Sequence, residues 1–457
     1  MRAQRHRRTP PRIAPIAPIT RIGPIAHAVL LALVLHGRDC RAGPGAADAP
    51  ADAADPSMQG MDMAPEPAPM VMAGMYGPYA MARESSGTSW QPDSTPLDGV
   101  HDMAGRWMTM WHGFANLVFD DQGGPRGGAK TFSDSMLMFM GRRQLDDGAA
   151  AGFRLMGSAD PLMGRDGYPE LFQTGETADG VHPLVDRQHP HNLLMEAAAS
   201  YSAKLSAGSA VFAYAGLAGE PALGPPAFMH RYSGMDNPEA PLSHHWLDST
   251  HISYGVATGG YVQGDAKIEA SVFNGREPGQ NRYDVALRHL DSFCARVSWN
   301  PLADVALQVS SGRLASPEQL QPQTAVVRST ASASANHAGE GYASQTTLAW
   351  GRDSLQPGIA SNAWLLESAW VLGDTHTFLA RAERVTKPDL FVPGQPLYGA
   401  AFTIDSLSLG YIHDFARLGA ARVGAGVLGT AYRYPAALVP SYGNGPLSYL
   451  VFLRIRL

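Results

Sequence analysis

The sequence predicts an all-β fold: a transmembrane antiparallel up-and-down β-barrel of about sixteen strands (range about 14–18), preceded by a disordered leader. Three observations carry this. The final stretch, Ser448 to Leu457, puts Tyr449, Val451, Leu453, Ile455 and Leu457 on one face of a period-two strand, and Leu450, Phe452, Arg454 and Arg456 on the other. One face is wholly apolar and the other ends in two arginines, as expected of a strand between lipid and an aqueous or polar lumen. Pairing of this strand with the first one would remove its open edge. Second, short turns and long loops alternate along the chain, the pattern of a bacterial barrel with periplasmic turns and external loops. Third, the chain opens with an export signal.

That signal is residues 1–42. Arg2, Arg5, Arg7, Arg8, Arg12 and Arg21 form a basic region, Ala26 to Leu35 an apolar core, and Arg41-Ala42-Gly43 a small-residue cleavage zone. Gly37-Arg38-Asp39 before Cys40 lacks the residues of a lipobox. Cleavage after Ala42 removes eight arginines and one aspartate, taking the net charge from −6 to −13. So acidic a chain is a poor nucleic-acid binder. Of the two cysteines only Cys294 then remains, which excludes an intramolecular disulfide.

Residues 43–105 are rich in Met, Pro and Ala and have no sustained apolar period, so they read as a loose periplasmic leader. Met58, Met61, Met63, Met70, Met72, Met75 and Met81 fall within it, and thioethers favour Cu(I) or Ag(I) over hard cations.

Residues 106–457 are the barrel. The expected turns are Leu145 to Ala149, Ser206 to Ser209, Gln263 to Asp265, Asn300 to Asp304, Asn336 to Gly341, Gly373 to Thr375 and Arg417 to Ala421. The expected loops are Asp120 to Phe132, Asp160 to His191, Gly219 to Asp248, Gly275 to His289, Leu314 to Val326, Arg352 to Ser361, Lys387 to Ala400 and Pro435 to Pro446. Each loop is longer than its neighbouring turns, and the weakest strand is Val327 to Ala335. Trp107, Trp111, Trp299, Trp350, Trp364 and Trp370, with Tyr201, Tyr254, Tyr261, Tyr432 and Tyr449, are expected in interfacial girdles.

The strand period also sorts residues that can carry chemistry. On the first strand Trp107, Trp111, Leu117 and Phe119 point to lipid, and Met108, Met110, His112 and Asn116 to the lumen. On the next two, Met136, Met138, Met140, Arg142, Arg154 and Met156 point inward. Methionine on the inward phase of three adjacent strands is either flexible filler for a packed lumen or, with His112, a thioether-lined path or site for a soft metal. Other inward charges, among them Glu196, Lys267, Glu269, Arg296, Arg381, Glu383, Arg454 and Arg456, carry both signs, as in a lumen crossed by ion pairs.

Histidines gather in two loops. One holds His189 and His191; the other holds His230, His244, His245 and His251 with Asp236, Glu239 and Asp248. Imidazole and carboxylate at these spacings suit copper or zinc, or hydrogen bonds that fold the loops into a cap. Ser243-His244-His245 and Asp248-Ser249-Thr250-His251 also raise an outer-membrane hydrolase, but adjacency supplies neither a base within reach nor an oxyanion hole. The expectation is a non-enzyme.

The motifs Met75-Tyr76-Gly77-Pro78, Trp90-Gln91-Pro92-Asp93, Phe172-Gln173-Thr174-Gly175-Glu176-Thr177, Pro183-Leu184-Val185-Asp186-Arg187-Gln188-His189-Pro190-His191, Phe228-Met229-His230-Arg231 and Ser243-His244-His245-Trp246-Leu247-Asp248 resemble those of an uncharacterised family of proteobacterial outer-membrane β-barrel proteins. The resemblance implies a barrel in the Gram-negative outer membrane and no particular activity. The Met-rich leader is also similar to that of copper-resistance outer-membrane proteins, without their barrel motifs. The expected function is therefore a channel or binding protein, with a soft metal ion such as copper as candidate cargo; the alternative is a structural or surface-interaction barrel under a folded loop cap. Outer-membrane lipid and the barrel-assembly machinery are the expected partners.

Overall fold

The computed structural model describes residues 72–145 and 148–457. The signal segment, Cys40 and the leader methionines Met58, Met61, Met63 and Met70 lie outside these residues. The strands are β1 (Val100–Ala104), β2 (Trp107–Gln122), β3 (Gly128–Gln144), β4 (Ala149–Gly157), β5 (Tyr168–Thr177), β6 (Pro183–Gln188), β7 (Leu194–Ser206), β8 (Ser209–Gly219), β9 (Ser253–Gln263), β10 (Ala266–Phe273), β11 (Ser292–Leu302), β12 (Val305–Leu314), β13 (Ala325–Gly339), β14 (Tyr342–Gln356), β15 (Ala360–Leu372), β16 (His376–Lys387), β17 (Phe402–Leu418), β18 (Ala421–Arg433) and β19 (Leu447–Arg456).

Sixteen of these, β2 to β4 and β7 to β19, form a closed antiparallel barrel in which each pairs with its sequence neighbours. Closure is made by β19 against β2, from Ser448 opposite Gln122 to Arg456 opposite Phe114. Where β19 stops, β1 takes over the same edge of β2, with Val100 opposite Trp111 and Ala104 opposite Trp107. β1 thus covers the part of the β2 edge that β19 leaves open. The doubtful segment 327–335 lies in the middle of β13, paired on both sides. β5 and β6 form a separate two-stranded hairpin within one long loop.

Turns and loops alternate as the sequence indicates, with two loops shorter than expected. Strand pairing continues outward to Gln122–Gly128 between β2 and β3 and to Ser354–Ala360 between β14 and β15, leaving 123–127 and 357–359 as connections between the strands. The second of these is as short as the neighbouring turn 373–375.

The outer wall needs lipid. In β19, Tyr449, Val451, Leu453 and Ile455 are exposed while Leu450, Phe452, Arg454 and Arg456 are buried, and the same apolar exposure runs round the barrel through Leu117, Leu155, Val211, Ile268, Val297, Val309 and Leu409. A soluble monomer does not leave a continuous apolar belt open to water, so the chain is a membrane-spanning barrel. No helix among the described residues is long and apolar enough to cross a membrane. An aromatic ring marks the turn end of the wall: Trp111 stacks on Phe139 at 4.3 Å, and Phe378 lies 5.2 Å from Tyr411. Tyr201, Tyr261, Trp299 and Trp370 are exposed on the outer wall near the same end. Two expected girdle members face inward instead. Tyr254 is odd-numbered steps from Tyr261 on β9 and so lies on its opposite face, 1% exposed, while Tyr432 packs on Phe172.

The lumen is packed by two irregular segments that enter from opposite ends. From the turn end comes the leader. Read from composition as loose as far as Gly105, it is folded from Met72 onward: Glu84 Oε1 accepts from the backbone N–H of Met75 and Tyr76 and from the Tyr79 hydroxyl, which closes the segment on itself. Met75, Tyr76, Met81 and Trp90 are buried. Arg83 then ties it to the rim, pairing with Asp93 and donating to the Gly264 carbonyl.

From the loop end comes the segment 220–252 between β8 and β9. Arg231 pairs with Glu367 of β15 at 2.7 Å and with its own Asp248 at 2.6 Å. Ser243 donates to Glu383 at 2.6 Å, and Trp246 Nε1 to Ser361 at 2.9 Å. Gly351 makes room for this plug, since a Cβ there would stand 2.3 Å from the Trp246 carbonyl oxygen. Of the inward charges, Arg454 and Arg456 anchor the plug through Asp236, while Lys267 and Arg296 pair with Glu269, and Arg381 with Glu367, along the wall. The plugs meet: Ser85 donates to the His230 carbonyl at 3.1 Å and the Ala227 N–H to Ser86 at 2.8 Å.

Candidate metal centre at the seam of the two plugs

At this seam lies a cavity of about 80 Å³ whose lining includes Met81 and Glu84 of the leader, Met110, His112, Met138 and Met140 of the wall, and His230, Tyr232 and Met235 of the infolded loop. One water needs roughly 10–15 Å³ of such space, so an ion with its ligands fits. The period-two argument explains the wall's share: β2 and β3 lie side by side, with Met110 opposite Met140 and His112 opposite Met138. Inward residues of neighbouring strands at one height necessarily meet.

His112 and His230 face each other across this space with ring centroids 6.3 Å apart. His112 Nδ1 and His230 Nε2 are both buried without a hydrogen-bond partner among the described residues. A buried unpaired nitrogen is costly in an apolar setting, and here each stands beside thioethers. Burial, reinforced by His112 and Arg154, pushes the His230 imidazole down to about 3, so it is neutral with a lone pair available. Glu84 and Asp98 also line the space with Arg154, but Asp98 pairs with Arg422 and Arg456 and Glu84 lies 3.9 Å from Arg154, so the donors left for an ion are neutral. The donor set of thioether and neutral imidazole fits Cu(I) or Ag(I) and poorly fits Mg(II), which prefers oxygen.

Not all the inward methionines contribute. Met136 and Met156 are buried in the surrounding apolar cluster with Met75, Tyr76 and Met195, and Met108 is half-buried nearer the turn end. These fill space. Met235 and Tyr232 were not singled out by sequence, because nothing periodic marks their segment.

The remaining loop histidines do not join into a single site. His191, His244 and His251 gather round Phe228, with His191 and His244 at ring distances of 5.4 and 5.2 Å from His251. Each is oriented through Nδ1: His191 by Asp160 at 2.8 Å, His244 by Asp248 at 2.7 Å and His251 by the Asp248 carbonyl at 2.8 Å. Burial lowers His244 and His251 below their ordinary values, and neighbouring histidines add to it. His189 turns away to Glu176, at 3.3 Å, and His245 to Glu277, at 3.7 Å. Asp236 and Glu239, candidate ligands by spacing, are engaged otherwise: Asp236 pairs with Arg454 and Arg456, and Glu239 accepts from Gln122 and Thr430. Of the serines beside the histidines, Ser243 donates to Glu383 and Ser249 to Glu277.

No family model and no curated protein sequence matches the chain. Among solved structures it is similar to outer-membrane OmpT of Vibrio cholerae, at 9% identity and a TM-score of 0.44 over 78% of this chain and 100% of that one. It is similar to an anion-selective porin from Comamonas acidovorans, at 12% identity and a TM-score of 0.45 over 77% of this chain and 100% of that one. Salmonella typhi OmpF is similar at 9% identity and a TM-score of 0.49 over 78% of this chain and 100% of that one.

Proposed function

We propose that this chain is an exported barrel of the Gram-negative outer membrane, with its turns in the periplasm, that captures a soft monovalent metal ion, Cu(I) or Ag(I), in the chamber between its two plugs. The observation that supports this reading is that two imidazole nitrogens without a partner among the described residues and five methionines line one cavity. With the lumen packed by the leader and the infolded loop, passage of the ion requires one plug to shift, so the protein acts as a gated binder and not as an open pore. Copper is the candidate cargo because thioether and imidazole together select it.

The test is a Cu(I) titration of the folded protein in detergent against a chromogenic chelator, repeated with Met110, Met138 and Met140 replaced by Leu. Leucine keeps the apolar volume and removes the sulfur. Weakened Cu(I) binding by a variant that still folds supports the reading. Unchanged binding leaves the methionines as packing and the chamber as part of a structural cap.

A further inference from the structure

A second cluster lies among the loops and shares no lining residue with the chamber. His245 comes from the infolded loop, Glu277 from the loop after β10, and Glu318 from the loop after β12. One ligand atom from each falls within 4.8 Å of the other two. They line a cavity of about 140 Å³, together with Glu176, Arg328 and Asp353.

Three features distinguish this cluster from an ordinary ion pair. The first is unpaired polarity: His245 Nε2 and Glu277 Oε2 have no hydrogen-bond partner among the described residues, although His245 is only 9% and Glu277 only 8% exposed. The contact between them, His245 Nδ1 to Glu277 Oε1, is 3.7 Å, too long for a hydrogen bond. The second is charge. The nearby arginines are committed elsewhere, Arg282 to Glu176 and Arg328 to Asp353, so Glu277 and Glu318 face one imidazole between them. The third is space: Gly175, at φ +123°, lies against the imidazole edge, and a Cβ there would stand 2.6 Å from Nε2. Ser249, donating to Glu277 Oε1 at 3.0 Å, and the Glu176 N–H, donating to Glu318 Oε2 at 3.2 Å, hold the carboxylates in place.

We propose that His245, Glu277 and Glu318 bind a divalent first-row transition metal ion, Zn(II) foremost, and so clamp three external loops together over the barrel mouth. One imidazole and two carboxylates with an open position is a Zn(II)-type donor set. It lacks the sulfur that would draw Cu(I), and its nitrogen sets it apart from all-oxygen Ca(II) or Mg(II) sites. A dication answers the first two features together, because it pairs the orphaned atoms and neutralises the excess carboxylate, and Gly175 leaves the imidazole edge free of a side chain.

The experiment uses the untagged full barrel, folded in detergent and stripped of metal. Co(II) is titrated first as a spectroscopic stand-in, then displaced by Zn(II). The expected result is a visible Co(II) absorption band saturating at one equivalent and removed by Zn(II). Glu318→Gln and Glu277→Gln should each weaken binding by at least the roughly 10–100-fold that loss of even a supporting group costs a metal site. The chamber variant with Met110, Met138 and Met140 changed to Leu should bind Co(II) as the parent does. Heat-modifiable gel migration reports folding, and Glu318, half-buried on a loop, decides alone if Glu277→Gln does not fold. Failure of the folded parent to bind Co(II) or Zn(II), or binding that survives Glu318→Gln unchanged, overturns the proposal. Loss of binding on His191→Gln instead would assign the metal to the histidines round Phe228.

Discussion

His112 on the barrel wall and His230 on the infolded loop face each other at 6.3 Å, and each presents a buried nitrogen with no partner to a space lined by methionine. The proposed ligand set is thus divided between a barrel strand and a segment held by hydrogen bonds and ion pairs. On the proposed reading, metal capture and plug position are coupled, since an ion bound to both would favour the closed arrangement by mass action.

That coupling yields the first prediction. Cu(I) or Ag(I) should raise the melting temperature of the folded barrel and protect the infolded loop from protease, and Mg(II) should do neither. His230→Leu should abolish the protection without preventing assembly. Equal stabilisation of parent and variant by Ag(I) would place the ion elsewhere.

The second concerns the anchor of that loop. Arg231 is 1% exposed between Glu367 and Asp248, and Arg231→Ala leaves both carboxylates buried with one cation fewer. Removing one partner of a buried pair costs about 3–5 kcal/mol. Arg381 also pairs with Glu367, at 3.3 Å, which softens the loss. Planar-bilayer recordings should show steps of conductance in the variant that the parent lacks. A silent variant with an unchanged melting temperature would mean that the plug does not depend on this residue.

How much of this was legible in the sequence differs by element. β19 could be read residue by residue because a strand between lipid and a packed lumen has a period of two, and the turn and loop alternation then ordered the other strands. The wall half of the chamber followed from the same period, through Met110, His112, Met138 and Met140. The plugs did not. Met75, Tyr76 and Trp90 lie in a segment rich in Gly and Pro whose burial comes from a surrounding wall and not from its own periodicity, so composition alone reads it as a linker. Met235 and Glu318 were invisible for the same reason: irregular chain declares no face. The signal that was present lay in the isolated aromatic and charged residues of the leader, Tyr76, Trp90, Arg83 and Asp93, which a solvated linker has no use for.

A third prediction follows from two titrating groups on the infolded loop. Burial pushes the Glu220 carboxyl up to about 7, against the pull of Arg296. Its unfolded value is about 4.3, so the folded state holds the proton more tightly. This contribution is full below about 4.3 and is lost as pH rises through 7. Asp248 runs the other way. Burial opposes its charge, but Arg231 and His244 hold it below the ordinary carboxylate range, so its contribution is present above about 3.9 and lost as pH falls. Melting in detergent across pH 3 to 8 should therefore decline on both sides of a mildly acidic maximum. Glu220→Gln should flatten the neutral limb and Asp248→Asn the acid one. A profile that neither substitution alters would remove these groups from the account.

The last prediction tests the assignment of the outer face. Val451 is mid-strand in β19, 48% exposed, and flanked by Leu450 and Phe452 pointing into the packed lumen. Its neighbours across the ladder are Phe119 and Val427, which are also exposed. If this belt contacts hydrocarbon, Val451→Arg costs about 2–4 kcal/mol near the bilayer midplane, because the guanidinium must stay in lipid or distort the bilayer to reach water. Val451→Leu changes only apolar volume on a face with no fixed packing partner, and should be close to neutral. Reversible unfolding in lipid vesicles measures both. In water-facing sheet the ranking would reverse, since an exposed arginine is harmless there and an added apolar methylene is not. Arginine tolerated as well as leucine would therefore contradict a lipid-facing belt at this strand, and with it the reading of the wall as membrane-spanning at its point of closure.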